Sequence, residues 1–229
     1  MSVHDGHRGR LKERYRKEGL DNFDKHQVLE LLLFYCIPRQ DTNPIAHDLL
    51  DRFHTIAGVL SAPPAELKKV KGISDGAASF LSFLNEMYRY ALVDQGGKEK
   101  VLTTVDQCGR FLLPYFYNRR NETVFLLCLD AKCKVLECSM VGEGSVNSAA
   151  IPPRRVVEMA LSANATSVVL AHNHPSGIAL PSDEDVCTTQ RLAKALNGVD
   201  IHLVDHIVVA EDDFVSMVQS GLYRTEDIY

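Results

Sequence analysis

Two histidines one residue apart, followed closely by a serine and an aspartate, are the residues of this sequence best suited to chemistry. His172 and His174 lie in the stretch AHNHPSGIALPSDED, and Ser182 and Asp185 follow within it. Imidazole nitrogens and carboxylate oxygens bind Zn²⁺, and three protein ligands with water in the fourth position are typical of catalytic rather than structural zinc sites. The stretch therefore predicts a metal site formed by His172, His174 and Asp185.

The elements around these residues explain how they can meet. The apolar segment 166–174 reads as a buried strand, and alternate side chains of a strand point to the same face, so the two histidines project together. Pro175 ends the strand pairing, and Gly177 permits a turn. Ser182 then begins a helix, with Asp185 in its first turn. The single loop between this strand and this helix can therefore bring the carboxylate of Asp185 back beside the two imidazoles.

The same residues also have a purely structural interpretation. Ser-x-x-Asp is a loose form of the capping box that stabilises helix N-termini, and histidine pairs at i and i+2 arise by chance. The combination of both with a proline stop and a glycine turn in one loop favours the metal site. Ser182 can cap the helix and also take part in chemistry, so its two interpretations do not compete.

The composition is that of a globular protein. Of 229 residues, 45% are hydrophobic and 24% are charged. No run approaches the roughly 20 apolar residues of a membrane helix, and the basic N-terminus lacks the apolar core of a secretory signal. We therefore expect a cytoplasmic protein that does not engage membranes, with its six cysteines as free thiols. The net charge of −5 gives no general attraction to nucleic acid, although residues 8–17 are locally basic.

Hydrophobic periodicity separates a helical half from a mixed half. Residues 7–92 show helical spacing and helix-start signals, such as Asn43 as a cap followed by Pro44. The glycine-containing charged segment 94–100 predicts a domain boundary. We therefore expect one domain over 1–95 and a second over 101–229.

In the second half, strands and helices alternate, which predicts a mixed α/β domain with a single sheet. A helix before the first strand is expected to be interrupted near Pro114. Strands are predicted over 123–129, 135–144, 166–174 and 200–210, and helices over 152–165 and 182–199.

The stretch HNHPSGIALPSDED resembles the JAMM (JAB) metalloprotease motif, in which His-x-His-Pro is followed by Ser-x-x-Asp. Its form HNHPSG is similar to the RadC family in particular. The similarity extends over nearly the whole chain, including EGSVN at 143–147 and VDHIVV at 204–209. The resemblance implies an α/β (α+β) protein in which an all-helical helix-hairpin-helix domain precedes a mixed-sheet JAMM/cytidine-deaminase-like domain.

The resemblance also implies roles for the matched positions. One zinc ion per chain would be bound by His172, His174 and Asp185, and would polarise a scissile carbonyl and activate a water molecule. Ser182 would donate a hydrogen bond to the oxyanion. The family's glutamate before the first core strand corresponds to Glu122, which would act as general acid and base. Glu143, in the VGEGS bend, is the alternative base.

Two features leave alternatives open. Many family members read His-Pro-Arg-Glu before the helix near 155, whereas this chain reads IPPRR with Pro152 and Arg155. The proposed ligands are unaffected, but substrate contacts along that edge are open. Asp205 and His206 could orient the metal site from behind its ligands, or could be strand residues satisfied by their neighbours.

The stretch LKKVKGISDGAASFL resembles a helix-hairpin-helix. A glycine turn before a helix exposes backbone N–H groups that can hold a phosphate. The expected DNA contacts are Lys69, Lys71, Gly72 and Ser74. The usual Gly-hydrophobic-Gly pattern is here Gly72-Ile73-Ser74, and the Cβ of Ser74 hinders close approach of a phosphate. DNA binding and a purely structural hairpin therefore both remain open.

Together these features predict a zinc-dependent metallohydrolase of the JAMM type that cleaves peptide or isopeptide bonds, with DNA association and a DNA-repair link as further expectations. One alternative is a non-catalytic, DNA-associated adaptor whose metal site is structural or vestigial. Another is hydrolysis of a phosphodiester, although two-metal sites are common in nucleases. The sequence leaves the substrate, the oligomeric state and activity in isolation open.

Overall fold

The computed structural model describes residues 3–97, 100–144 and 151–224. Residues 145–147 of the EGSVN motif lie outside the described residues. The chain divides into two compact units, Met1–Tyr88 and Arg89–Tyr229. The division falls inside a helix that ends at Gly96, whereas the sequence predicted a domain boundary over 94–100.

The first unit is helical, as predicted. Gln27 accepts a hydrogen bond from the backbone N–H of Asp24 and so stabilises the start of the second helix. Thr42 rather than Asn43 occupies the N-cap position of the third helix, without a capping hydrogen bond from its side chain, and Pro44 lies near the helix start as expected. Its helices are α1 (Val3–Glu18), α2 (Lys25–Leu33), α3 (Asn43–Phe53), α4 (Ile56–Leu60), α5 (Pro64–Leu67) and α6 (Asp75–Gly96).

The second unit contains a mixed sheet, so the α/β class is confirmed. Its five strands have the order β2-β1-β3-β4-β5. The β3–β4 pair is parallel, and the other neighbouring pairs are antiparallel. Its elements are α7 (Val105–Phe116), β1 (Thr123–Leu129), β2 (Val135–Glu143), α8 (Pro153–Ser162), β3 (Ser167–Asn173), α9 (Asp183–Asn197), β4 (His202–Ala210) and β5 (Asp213–Ser216).

Two details of this unit differ from the sequence prediction. Helix α7 continues through Pro114 without interruption. Because Pro114 lies in the last turn, its missing N–H removes only one helical hydrogen bond near an end that frays anyway. Strand β5 was not predicted; it is a short edge strand whose pairing with β4 supplies the register that its own sequence does not indicate.

Helices cover both faces of the sheet, so alternate residues of each strand are buried in two different clusters. Val124, Leu126 and Leu170 pack in a buried cluster with residues of α8 and α9. The alternate residues of the same strands pack in a second buried cluster with α7. His172 shares the parity of Leu170 and therefore lies on the face covered by α9. The fold thus directs the first candidate ligand toward the helix that carries Asp185.

Among the helices of the described residues, none combines the length and the apolar character that crossing a membrane requires.

Candidate metal centre

The two histidines lie where β3 ends beside β4. His172 is completely buried in β3. His174 lies one residue beyond the strand, but its backbone N–H still donates to the carbonyl of Val209 in β4 at 2.8 Å. The chain then turns at Gly177, which has a φ of 84° and donates to the carbonyl of His174. The backbone therefore keeps both imidazoles aligned before it leaves the sheet.

The carboxylate comes from the first turn of α9. Ser182 is the N-cap, and its Oγ accepts a hydrogen bond from Asp185 N at 3.2 Å. In return, Asp185 Oδ2 accepts from Ser182 N at 2.8 Å and from the Ser182 hydroxyl at 2.6 Å. This capping box fixes the orientation of Asp185, which is 1% exposed. The structural role of the Ser-x-x-Asp pair and its place in the candidate site are therefore both present.

The donor atoms converge as a metal site requires. His172 Nε2 lies 2.9 Å from His174 Nε2 and 3.3 Å from Asp185 Oδ1. His174 Nε2 lies 3.7 Å from Asp185 Oδ2. Ligands about 2.0 Å from a tetrahedral zinc ion lie about 3.3 Å from one another. The three side chains therefore fit one ion, and they are a candidate metal-binding cluster among the described residues.

The electrostatics favour the metal-binding protonation state at two of the three groups, His172 and Asp185. Burial lowers the pKa of His172 to about 4. Burial alone would raise the pKa of Asp185, but its hydrogen bonds with His174 and Ser182 and the neighbouring His172 lower it. The hydrogen bond that a protonated His174 donates to Asp185 raises the pKa of His174. At neutral pH, His172 is therefore a neutral donor and Asp185 a carboxylate.

Each imidazole is oriented through the nitrogen that faces away from the site. His174 Nδ1 lies 3.1 Å from the carbonyl oxygen of Ile178. A carbonyl can only accept, so Nδ1 carries a proton, and Nε2 is the nitrogen that can bind a metal when the ring is neutral. His172 Nδ1 lies 2.8 Å from His206 Nε2, a buried ring on β4. His206 thus contacts a candidate ligand from behind, and its other ring nitrogen is satisfied by Thr189, so contacts of both kinds expected from the sequence are present.

Glu122 directly precedes β1, and three hydrogen bonds hold the backbone of Glu122 and of its two neighbours. Asn173 Oδ1 accepts from Thr123 N at 2.8 Å, and Asn173 Nδ2 donates to Asn121 O at 3.2 Å. The carbonyl of Glu122 accepts from Gly144 N at 3.0 Å. Asn173 therefore connects the position of Glu122 to β3, the strand that contains His172 and ends just before His174.

The surroundings of the Glu122 carboxyl are those of the candidate site. Burial raises its pKa, the charge of His174 opposes this increase, and Asp185 and Glu184 add to it. Glu143, the alternative base, instead lies 3.4 Å from Arg119 Nη1 and 3.3 Å from Asn121 Nδ2. The two acids therefore have different surroundings, and the charges of the candidate ligands His174 and Asp185 act on the pKa of Glu122.

A cavity of about 280 Å³ adjoins Glu122 and Glu143. Its wall includes Pro152 and Arg155, the positions at which this chain departs from the common family pattern. The remaining lining residues that matter here are apolar, Val124 and Ile151 among them. The edge for which the sequence did not assign substrate contacts is therefore lined mostly by apolar residues, and it adjoins the candidate base.

The predicted DNA contacts lie in the helical unit, at the turn between α5 and α6. Gly72 has a φ of 96°, and an added Cβ would lie 2.6 Å from Ile45 Cδ1, so the turn requires glycine. Ser74 Oγ accepts from Ala77 N at 3.2 Å and thus caps α6.

The charges around this turn are mostly paired. Lys69 Nζ lies 2.5 Å from Glu66, and Lys68 Nζ lies 2.7 Å from Asp75. Lys71 has no ion-pair partner among the described residues. The hairpin is thus formed as predicted, with much of its positive charge offset by neighbouring acids.

Comparison with known proteins agrees with this architecture. Residues 102–222, more than half of the chain, match the family described as RadC-like JAB domain. The chain belongs to the RadC family. A UPF0758 protein of Fusobacterium nucleatum is 32% identical to this RadC-family chain, over 95% of this chain and 97% of the relative. Another, from Bordetella parapertussis, is 33% identical over 92% and 93% of the two chains. The family assignment from the sequence is therefore confirmed.

Two residues of this RadC-family site were not singled out in the sequence. Asn173 was passed over as the variable residue between the histidines, although a buried amide at a strand end needs partners. Thr189 was passed over as an ordinary helix residue, although it lies one helical turn beyond Asp185 and on the same face. It is completely buried beside His206.

Proposed function

We propose that the protein is a zinc-dependent hydrolase of the JAMM type that cleaves peptide or isopeptide bonds. The observation that carries the proposal is the convergence of His172, His174 and Asp185 on one point at the edge of the sheet. Two imidazoles and one carboxylate leave a fourth position for water or substrate, as in catalytic zinc sites. The membership of the RadC-like JAB family supports the same type of site.

When bound, zinc supplies Lewis-acid polarisation of the scissile carbonyl and lowers the pKa of water to about 7. Glu122 takes the proton from the attacking water and delivers it to the leaving amine nitrogen. Its partial burial favours this role because burial raises the pKa of the carboxyl, and a general acid and base is most efficient when its pKa approaches the operating pH. Asn173 holds the backbone on either side of Glu122 and so fixes where that proton is received.

Ser182 is proposed to donate a hydrogen bond to the oxyanion of the tetrahedral intermediate. In the structure its hydroxyl hydrogen is directed to Asp185 Oδ2 at 2.6 Å. Rotation about the Cβ–Oγ bond turns the hydrogen away from Asp185 without moving the backbone. The hydroxyl can therefore serve Asp185 before the reaction and the oxyanion during it.

A second candidate function is a non-catalytic, DNA-associated adaptor with a structural metal site, and one observation removes an argument against it. A structural metal site has no need of an oxyanion donor, so Ser182 would count against the adaptor if the residue had no other role. The structure gives Ser182 a separate task, because it caps α9 and holds Asp185. The presence of Ser182 therefore does not distinguish a working site from a structural one.

We also propose that the helical unit contacts DNA through the α5–α6 turn. The left-handed turn at Gly72 and the exposed first turn of α6 support this, because the first backbone N–H groups of a helix can hold a phosphate. Lys71 adds an unpaired charge. A link to DNA repair would follow only from such binding.

Metal analysis combined with substrate profiling tests the hydrolase proposal. Purified protein is expected to contain about one zinc ion per chain, and His174→Ala and Asp185→Ala are expected to lose it. The zinc-loaded protein is then incubated with a peptide library, with an isopeptide-linked library and with duplex DNA, beside Asp185→Ala. Cleavage by the wild type alone supports the proposal. Bound zinc without cleavage of either library supports the adaptor, and cleavage of nucleic acid alone supports the phosphodiester alternative.

A further inference from the structure

A continuous chain of buried polar groups runs behind the candidate ligand His172. His172 Nδ1 lies 2.8 Å from His206 Nε2, and His206 Nδ1 lies 2.6 Å from Thr189 Oγ1. Thr189 Oγ1 in turn lies 2.6 Å from the backbone carbonyl oxygen of Asp185. The chain begins at one candidate ligand and ends on the backbone of another, and each member is at most 2% exposed.

The positions of the protons along these hydrogen bonds can be deduced from the end at Asp185, where the partner is a backbone carbonyl. The carbonyl of Asp185 can only accept, so the Thr189 hydroxyl donates its single hydrogen there. The Thr189 oxygen must then accept, and His206 Nδ1 must carry a proton. His206 is completely buried, and its ring nitrogens contact His172 and Thr189 rather than a carboxylate, so the uncharged ring is favoured. Its Nε2 then has no proton and accepts from His172 Nδ1, which leaves Nε2 of a neutral His172 ring with a free lone pair.

We propose that Thr189 and His206 are positioning residues that fix His172 in the tautomer whose Nε2 is free to bind the metal. This inference rests on the metal-binding part of the proposed function, and adds two residues that act through His172. The opposite direction of the same hydrogen bonds would place a proton on His172 Nε2, which points toward His174 and Asp185. Such a proton would occupy the position that the metal needs.

The backbone of His206 is itself held in place by the preceding residue. Asp205 Oδ1 accepts from His206 N at 2.8 Å and from Val218 N at 3.2 Å. Asp205 Oδ2 accepts from the Ser216 hydroxyl at 2.5 Å. Asp205 therefore supports the position of His206 by connecting the middle of β4 to the last residue of β5 and to the segment that follows it.

A merely structural pair of buried histidines would be equally well satisfied by either direction of the hydrogen bonds. The connection through Thr189 removes this freedom, because it couples the proton on His206 to a carbonyl that cannot donate. Partners behind a metal-binding histidine commonly fix its tautomer and orientation, and their loss lowers metal affinity about 10- to 100-fold. The direction of the chain is therefore the property to be measured.

Long-range ¹H–¹⁵N spectra of the full-length, metal-free protein report the tautomer of each neutral imidazole directly. We expect His172 and His206 to carry their protons on Nδ1. The signals are assigned by comparison with His206→Gln, which removes one ring and offers a carbonyl oxygen near the position of Nε2. A proton on Nε2 of His172 in the metal-free wild type would overturn the proposal, whatever the activity of the protein.

Zinc affinity of matched variants at Thr189 gives the second test, by competition with a chromophoric chelator. Thr189→Val keeps the shape and removes the hydroxyl, and should lower zinc affinity about 10- to 100-fold. Thr189→Ser should restore it. Thr188→Val removes a buried hydroxyl from the neighbouring residue of α9, outside the chain of hydrogen bonds, and should leave the affinity unchanged.

The outcomes separate this proposal from the proposed function. Wild-type affinity in folded Thr189→Val protein, or equal losses in Thr189→Val and Thr188→Val, would contradict the positioning role. If Thr189→Val does not fold, the tautomers of the wild type decide the matter. If the protein binds zinc and follows these expectations but cleaves no peptide, the hydrolase proposal fails and the positioning role stands.

Discussion

Asn173 holds the backbone on both sides of Glu122, accepting from Thr123 N and donating to Asn121 O. The residue between the two histidines thus connects the candidate metal ligands to the candidate base. Its side chain points away from the face used by His172, because neighbouring residues of a strand alternate. Asn173 therefore aligns the candidate base with the candidate ligands. It lies between the two histidines in sequence, and its side chain holds the backbone on either side of Glu122.

Replacing Asn173 by Ala is expected to lower kcat about 10- to 100-fold while zinc remains bound, because a small displacement of a positioned base is sufficient for such a loss. Zinc content and kcat are measured on the same preparation. Asn173→Asp is the matched variant: it keeps an acceptor for Thr123 N but loses the donor to Asn121 O, and should fall between the two. Loss of zinc in Asn173→Ala would show instead that Asn173 supports the ligands.

The identity of the base is tested by a pair of isosteric substitutions. Glu122→Gln should retain zinc and lose at least about 100-fold in kcat, the lower end of the usual contribution of general acid–base catalysis. Glu143→Gln should have a much smaller effect, because Glu143 contacts Arg119 and Asn121. The reverse pattern would mean that Glu143 is the base and that Glu122 is misassigned.

The two tasks of Ser182 can be separated with glycine and alanine. Glycine is a good N-cap and weakens a helix start by only a few tenths of a kcal/mol, whereas alanine costs about 1 kcal/mol. Both remove the hydroxyl. If Ser182 donates to the oxyanion, Ser182→Gly and Ser182→Ala should lose similar activity, about 100-fold or more, while only Ser182→Ala shows a clear decrease in thermal stability. Activity that follows stability would leave Ser182 as a cap.

The pH dependence of the reaction should report Glu122. The base works in its ionised form, so activity is present above its pKa and is lost as pH falls through it. Burial first, and the charges of Asp185 and Glu184 after it, raise this pKa. Glu184→Gln removes one of these charges and should move the acidic limb of kcat/KM to lower pH, less so at high salt. Asp183→Asn, a neighbouring neutralisation, serves as the control. An acidic limb that stays in place in Glu184→Gln would argue against Glu122 as the titrating base.

DNA binding by the α5–α6 turn, if present, should weaken steeply with salt because phosphate contacts release counterions. Lys71→Glu should weaken binding more than Lys69→Glu, since the charge of Lys69 is already offset by Glu66. Fluorescence anisotropy of a labelled duplex at several salt concentrations measures both effects. Binding that is insensitive to salt and to the double variant of these two lysines would reduce the hairpin to a structural element.

Much of the candidate site could be predicted because its signals are local in sequence. The spacing of His172 and His174 on a strand, the turn at Gly177 and the cap at Ser182 are each decided by residues a few positions apart. The fold class followed from the same kind of signal, since periodicity identified four strands of the sheet. The short edge strand β5 was missed because its stability comes from pairing with β4 rather than from its own pattern.

The sequence by itself determined which side chains could bind a metal, and the order of elements that carry them. Only the tertiary structure decided what lies behind those side chains. Asn173 meets Thr123 across 50 positions, and His172 meets His206 across 34. Such pairings depend on strand order and register, which bring distant residues together with no trace in local spacing. The ligands of the candidate site can thus be identified from one short stretch of sequence, whereas their alignment depends on how the strands of the whole sheet pair.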